Sequence, residues 1–322
     1  RRMMVESCGL VSLAVVYLAV GPFSLRKARR SAVSAKAHGG VLIRTMLVTD
    51  DAGAARGEDG FDDVASLGSV EARLKAATSG RVAQLPQFVR TREVLSTNGT
   101  YSLDASSTSE KWRDKTRASN VALRILRAAK VEAITLALHR HDRVLFLDAD
   151  TFVCGPLDAA KCALDGAAVA AFVPVDEGRE HGTALLAGSE RWRVPPSARE
   201  ANTGVLAVRN HSSTARLLDT WRAAYADLSK SGFLMDQPAF RAALHATGAP
   251  HTFLPPELNC RGHQRRPPPV LARRTSREGE KKTHRTAVPL RCRGFDKLDP
   301  GVQTTLRGGA GCVVLHSHDI QE

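Results

Sequence analysis

The chain of 322 residues is 43% hydrophobic, enough to bury the core of one large α/β domain or two small ones; we favour a single domain covering residues 1–322. Its formal net charge of +13 comes largely from residues 261–293, where eleven Lys or Arg and two Glu residues give +9. This segment has three consecutive prolines and no aromatic residue, so it predicts a solvated basic insertion and argues against a nucleic-acid partner. The six cysteines form no C-x-x-C pair, which argues against a zinc or dithiol site.

The first elements allow two interpretations. Residues 5–25 are mostly apolar between basic flanks, as in a membrane anchor that would place the domain in the Golgi lumen; without an anchor the protein would be cytoplasmic. The interpretation that we prefer is a first strand at 9–15, a turn carrying Tyr17, a helix to about Ser34 and a second strand at 41–48. This β-α-β opening is typical of a doubly wound sheet, and it places Tyr17 at the rim of the ligand-binding edge.

The central part of the chain leads to a strand that the sequence marks clearly. We predict a helix at 64–77, and apolar residues at helical spacing predict two helical pieces within 117–138 that meet near Lys130. Residues 144–147 then form an unbroken apolar run. Such a run is typical of a strand buried on both faces of a mostly parallel sheet.

Asp148 and Asp150 follow this run, so they leave the carboxyl end of a central strand, where open α/β sheets bind ligands. Two carboxylates one residue apart can both turn toward one hard cation, which would neutralise a diphosphate. An Asp-x-Asp also arises by chance about once in a chain of this length. The interpretation as a metal site therefore depends on the other elements.

The second half of the chain predicts the remaining strands and helices. Asn202 lies at the entrance of a short strand, and Asp236 is a predicted helix N-cap, which by itself would explain an acidic residue there. His316 and His318 follow the last predicted strand. They share one face because side chains alternate along a strand. The predicted strands are 168–174, 205–208, 252–254 and 312–315, and the predicted helices are 212–228 and 236–247.

Six segments are informative when they are taken together in chain order. They are 11–31 (VSLAVVYLAVGPFSLRKARRS), 130–158 (KVEAITLALHRHDRVLFLDADTFVCGPLD), 201–210 (ANTGVLAVRN), 235–244 (MDQPAFRAAL), 253–260 (FLPPELNC) and 313–318 (VVLHSH). Together they resemble the retaining GT-A glycosyltransferases of the glycogenin and galactinol synthase family. One such string would be weak, but six in the same order along nearly the whole chain are specific.

The resemblance implies a GT-A fold, which is a Rossmann-like, mostly parallel sheet with helices on both faces. It implies that Asp148, Ala149 and Asp150 bind the donor diphosphate through a metal ion, with His316 as the third protein ligand. His318 is the alternative ligand, because spacing alone does not separate the two histidines. A neutral imidazole beside two carboxylates favours Mn²⁺ over Mg²⁺.

The resemblance also assigns the other site residues. Tyr17 would contact the uridine of a UDP-hexose or UDP-pentose donor, and Lys130 would lie near the donor phosphates or sugar as a point charge. Asn202, Asp236 and Gln237 would hydrogen-bond the donor sugar, with Asp236 orienting it or stabilising its positive charge. The implied reaction transfers the sugar, with retention, to a hydroxyl of a glycan, a protein or a small polyol.

Two other functions remain open from the sequence. A sugar-nucleotide nucleotidylyltransferase has a similar fold, but it carries a Gly-rich basic loop after the first strand, and residues 16–23 contain no basic residue. A non-catalytic, polyanion-binding relative would keep the fold with an idle acid pair. Metal-dependent UDP binding would argue against that last possibility.

Overall fold

The computed structural model describes residues 11–55, 60–68, 110–175, 190–230, 235–261 and 312–316. The strands within these ranges are β1 (Leu13–Ala19), β2 (Ile43–Thr49), β3 (Asp63–Ser66), β4 (Arg143–Leu147), β5 (Thr151–Val153), β6 (Ala170–Pro174), β7 (Ala201–Arg209), β8 (His251–Phe253), β9 (Cys260–Arg261) and β10 (Val314–His316). The α-helices are α1 (Gly21–His38), α2 (Ala52–Ala55), α3 (Glu110–Leu138), α4 (Asp158–Ala163), α5 (Ser212–Lys230) and α6 (Gln237–Thr247), and Pro256–Asn259 forms a 3₁₀ helix.

Seven of the described strands form one sheet in the order β3-β2-β1-β4-β7-β6-β8. The first four strands in this order run parallel to one another, and β8 is parallel to β6. Strand β7 is antiparallel to both β4 and β6. The predicted α/β class with a mostly parallel sheet is confirmed.

The two faces of this sheet bury separate cores, as strand β4 shows. Val144 and Phe146 point into a first core, to which α3, α5 and α6 contribute. Leu145 and Leu147 point to the opposite face, into a second core shared with α1 and α4. Apolar packing on both sides therefore fixes the end of β4, where the acid pair begins.

A second, small sheet contains β10, the last strand that the structure describes, and pairs it with β5, which follows the acid pair. Strand β10 runs antiparallel to β5 and parallel to β9. The backbone N–H of Val313 donates to the carbonyl of Glu257 at 2.8 Å, and a disulfide joins Cys260 to Cys312. These contacts hold His316, the last residue of β10, in a defined position.

The N-terminal segment is part of the main sheet. Strand β1 lies between β2 and β4 and covers Leu13–Ala19 instead of the predicted 9–15, because its register with β2 continues to the pair Ala19 and Thr49. Tyr17 therefore lies inside a strand, and its predicted place in a turn at the rim is wrong. A central strand at these positions also contradicts an anchor through residues 13–19. Among the described helices, none combines the length and the apolar character that crossing a membrane requires.

Two other predicted elements differ from the structure. Helix α3 is continuous through Lys130, since residues 117–138 contain neither Gly nor Pro. The predicted helix at 64–77 is wrong at its start, because Asp63–Ser66 pairs with β2 at the sheet edge. Residues 69–77 of that prediction lie outside the described residues. So does the basic insertion at 261–293 beyond the backbone of Arg261, and the single-domain organisation stays a prediction.

Candidate active site

Three side chains that could hold a metal ion meet at the carboxyl end of β4. The ligand atoms of Asp148, Asp150 and His316 all lie within 4.8 Å of one another. His316 Nε2 is 3.3 Å from Asp150 Oδ1 and 3.7 Å from Asp148 Oδ2. Between the acids, Ala149 is half-buried against the second core. The fold thus brings the predicted ligands together, while His318 lies outside the described residues.

A neighbouring amide orients the imidazole of His316. Its Nδ1 atom lies 3.3 Å from Asn259 Oδ1, at the end of the 3₁₀ helix. An amide oxygen can only accept a hydrogen bond, so this contact suits a proton on Nδ1, and it directs Nε2 toward the two carboxylates, where a neutral imidazole would offer a lone pair to a metal ion. A hydrogen bond of this kind, behind a ligating nitrogen, is typical of protein metal sites.

Gly204 provides the space in which these side chains meet. A Cβ atom at this position would lie 2.5 Å from Asp148 Oδ2 and 2.6 Å from His316 Cε1. The Gly204 carbonyl also accepts a hydrogen bond from the Asp148 N–H at 2.9 Å, which continues the pairing of β4 with β7. Two carboxylates and one imidazole in a space that admits no side chain fit a divalent transition metal such as Mn²⁺.

A second charged cluster adjoins the acid pair. Lys130 on α3 is buried, and its Nζ atom lies 3.2 Å from Asp148 Oδ1 and 3.1 Å from Asp236 Oδ2. The Thr203 hydroxyl donates to the same Asp236 oxygen at 2.8 Å. Lys130 therefore connects the candidate metal site with Asp236.

Both members of this buried ion pair are charged. Burial by itself would lower the pKa of Lys130, but attraction to Asp148 and Asp236 outweighs it and raises that pKa above its ordinary value. Burial would likewise raise the pKa of Asp236, but Lys130 and Arg127 outweigh it and lower that pKa. Asp236 is thus an ionised carboxylate with only 4% of its surface exposed.

Asp236 does not cap α6, although it occupies the N-cap position. Its backbone is helical, at φ −88° and ψ −19°, and its carboxylate makes no capping hydrogen bond within the described residues. The predicted structural explanation for this acid is therefore wrong. Its carboxylate is directed instead at Thr203, Lys130 and Arg127.

The predicted sugar-binding amides also lie together. Asn202 is the second residue of β7, which begins at Ala201 and is nine residues long, whereas the predicted strand covered 205–208. Its Oδ1 atom accepts from the Gly204 N–H at 3.0 Å and from Gln237 Nε2 at 3.5 Å. Gln237 Oε1 is buried and has no hydrogen-bond partner among the residues that the structure describes. This acceptor is available to a ligand hydroxyl.

Two residues of the site, Arg127 and Gly204, were not predicted from the sequence. Arg127 lies one helical turn before Lys130, and its Nη1 atom is 3.7 Å from Asp236 Oδ1. The i, i+3 spacing to a predicted site lysine was the signal that could have found it. Gly204 was visible only as part of a strand, since its role depends on side chains from β4 and β10.

Tyr17 is not placed to contact a ligand. Its side chain is fully buried under α1, where its hydroxyl accepts from Ser31 Oγ at 3.1 Å, and burial raises its pKa. The aromatic residue at this edge is Phe23, which is 48% exposed near the start of α1. Asp50, at the end of β2, accepts from the N–H of Gly21 at 3.2 Å, so the start of α1 lies beside the carboxyl ends of β1 and β2.

The fold class is defined by the strand order and by the position of the acid pair after a central strand, with His316 beside it. It is the GT-A glycosyltransferase fold, a mixed α/β domain with a mostly parallel sheet between helices. No family model and no curated protein matches the chain.

Among solved structures, the chain is similar to the galactosyltransferase LgtC, which was determined in complex with donor and acceptor sugar analogues. The identity is 13% and the TM-score 0.51, over 95% of this chain and 87% of that chain. The apo form of mouse xyloside xylosyltransferase 1 is also found, with 14% identity and a TM-score of 0.48 over 96% and 98% of the two chains. The first likeness shows the fold, and membership in the glycogenin and galactinol synthase family stays a prediction.

Proposed function

We propose that this protein is a metal-dependent glycosyltransferase that moves a sugar from a UDP-sugar to an acceptor hydroxyl with retention. The observation that carries the proposal is the geometry around Lys130. On one side this cation contacts Asp148 of the candidate metal site, and on the other it contacts the buried, ionised Asp236. A diphosphate and a sugar could therefore be held next to each other.

In this proposal Asp148, Asp150 and His316 hold Mn²⁺, with Mg²⁺ the weaker fit to an imidazole ligand. When bound, the ion acts as a Lewis acid that offsets the negative charge developing on the leaving UDP. Lys130 supplies a fixed positive charge at the same place. Because it is already buried and oriented, it stabilises this charge without a large reorganisation.

Asp236 acts on the sugar through its charge. Its Oδ2 atom accepts from Thr203 and contacts Lys130, and its Oδ1 atom faces Arg127. Lone pairs engaged in this way make the carboxylate a poor nucleophile, so its role would be to orient the sugar or to offset positive charge at the anomeric carbon. This favours attack by the acceptor hydroxyl on the face that UDP leaves, and hence retention.

The amides and one aromatic ring complete the proposed donor site. Gln237 Oε1 accepts from a sugar hydroxyl, and Asn202 holds the Gln237 amide in place. Phe23 replaces Tyr17 as the ring that stacks on the base, since Phe23 is exposed at the carboxyl edge of β1 and Tyr17 is buried.

The acceptor class is a glycan, a protein or a small polyol. The Cys260–Cys312 disulfide favours an oxidising compartment such as the Golgi lumen over the cytoplasm.

The decisive experiment measures UDP binding by calorimetry and the hydrolysis of a panel of UDP-hexoses and UDP-pentoses, with and without Mn²⁺. We expect binding and hydrolysis to require the ion, and Asp150→Asn to reduce UDP affinity at least tenfold. Asp142→Asn is the matched control, because Asp142 is exposed at the opposite end of β4. Equal, metal-independent UDP affinity in all three proteins would contradict the proposal and favour a polyanion-binding protein. Product NMR showing an inverted anomeric centre would contradict retention.

A further inference from the structure

The Asp236 carboxylate depends on positive neighbours to stay ionised. A buried carboxylate without a cation takes up a proton, because desolvation penalises its charged form. Among the described residues, two cationic groups lie within 4 Å of it, Lys130 at 3.1 Å and Arg127 at 3.7 Å. They face different oxygens, Oδ2 and Oδ1 respectively.

Lys130 also contacts groups other than Asp236. Its Nζ atom is almost equally close to Asp148, at 3.2 Å, and contacts the Thr203 carbonyl at 3.3 Å. In the proposed function, a donor diphosphate bound beside Asp148 brings further negative charge to this ammonium group. The positive charge of Lys130 would then be shared with the diphosphate, so that less of it offsets the charge of Asp236 while the sugar is being transferred.

Arg127 has a second contact that does not involve the acid pair. It lies one turn before Lys130 on the same face of α3, and its Nη1 atom also lies 2.8 Å from the sulfur of Met235, the residue before Asp236. Its side chain is only 24% exposed, so packing restricts its rotamers. We therefore expect Arg127 to stay beside Asp236 when the contacts of Lys130 change.

We propose that Arg127 is a positioning residue that keeps Asp236 charged and directed at the donor sugar when the donor diphosphate engages Lys130. This inference rests on the proposed function. The other groups that face this region are Arg124 on α3, the hydroxyl of Thr203 on β7, and Tyr225 and Trp221 on α5. Trp221 Nε1–H donates to the Asp236 carbonyl at 3.2 Å and fixes its backbone. Attraction to Arg127 contributes to the lowered pKa of Asp236.

The activity test compares Arg127→Met, Arg127→Lys and Arg140→Met. Methionine keeps an unbranched apolar side chain without the charge, and Arg140, which pairs with Asp63 on β3, is a matched control. In Arg127→Met we expect the acid limb of the kcat profile to move up by about one pH unit, with unchanged UDP affinity. Arg127→Lys should restore the profile, and Arg140→Met should leave it in place. A loss of kcat that is equal at every pH, or no loss, would overturn the proposal.

A second measurement does not need activity. In a double-mutant cycle at pH 7, Arg127→Met should raise the unfolding equilibrium constant at least tenfold in the wild-type background and less than threefold in the Asp236→Asn background. Equal effects in both backgrounds would show that Arg127 does not act through Asp236. If Arg127→Met does not fold, Arg127→Gln takes its place in both tests. The cycle could show coupling between Arg127 and Asp236 while the wild type binds no UDP in the presence of Mn²⁺. In that case the proposed function is wrong, but the electrostatic effect of Arg127 on Asp236 is supported.

Discussion

Replacing Gly204 by Ala tests the geometry of the candidate metal site with one added methyl group. Its Cβ atom would lie 2.5 Å from Asp148 Oδ2 and 2.6 Å from His316 Cε1, close to 1 Å inside ordinary contact distances. Gly204 does not need a left-handed backbone, so the strain comes from this overlap. Asp148 is 31% exposed and can rotate away, whereas His316 is buried and cannot. Such overpacking costs about 1–3 kcal/mol of stability, and it separates two of the three candidate ligands.

We therefore expect Gly204→Ala to bind Mn²⁺ about 10- to 100-fold more weakly than the wild type, the range typical when the support of a metal ligand is lost. Calorimetry with Mn²⁺ measures this affinity, and circular dichroism checks the fold. Gly166→Ala is the control, since a Cβ atom there would meet no atom within 4 Å. A folded Gly204→Ala protein with the Mn²⁺ affinity of the Gly166→Ala control would refute the reasoning.

Two further predictions concern the elements that frame the site. The double substitution Cys260→Ser and Cys312→Ser removes a crosslink between residues 52 positions apart, which the chain-entropy model values at up to about 4 kcal/mol. Since β10 is then held less firmly, Mn²⁺ affinity should fall at least tenfold by calorimetry; an unchanged value would show that strand pairing alone positions His316. Deleting residues 1–25 removes β1 from between β2 and β4, so we expect insoluble protein. A soluble truncation that still binds UDP would contradict the central position of β1.

Local sequence patterns predicted the main elements of the sheet and the position of the acid pair. The apolar run before Asp148 forms a buried strand because a segment without polar residues must be covered on both faces. The candidate site lies at this edge because β1 and β4 end there, while β7, which is antiparallel to β4, begins there. The predicted boundaries of β1 and β7 differ from the observed ones, because hydrogen-bond register with the neighbouring strand sets where a strand begins and ends.

The sequence by itself thus indicated most strands and helices of the main sheet, although not β3, and the chemical types of side chain in the candidate site. Only the tertiary structure decided how those side chains are used. Tyr17 is buried and Asp236 forms a buried ion pair instead of a helix cap, because residues distant in the sequence surround them. Position 204 is likewise restricted to glycine because atoms of Asp148 and His316 would overlap with a Cβ atom there. Gly204 is 56 positions from Asp148 and 112 from His316, and Lys130 is 106 positions from Asp236, so no local pattern encodes these distances.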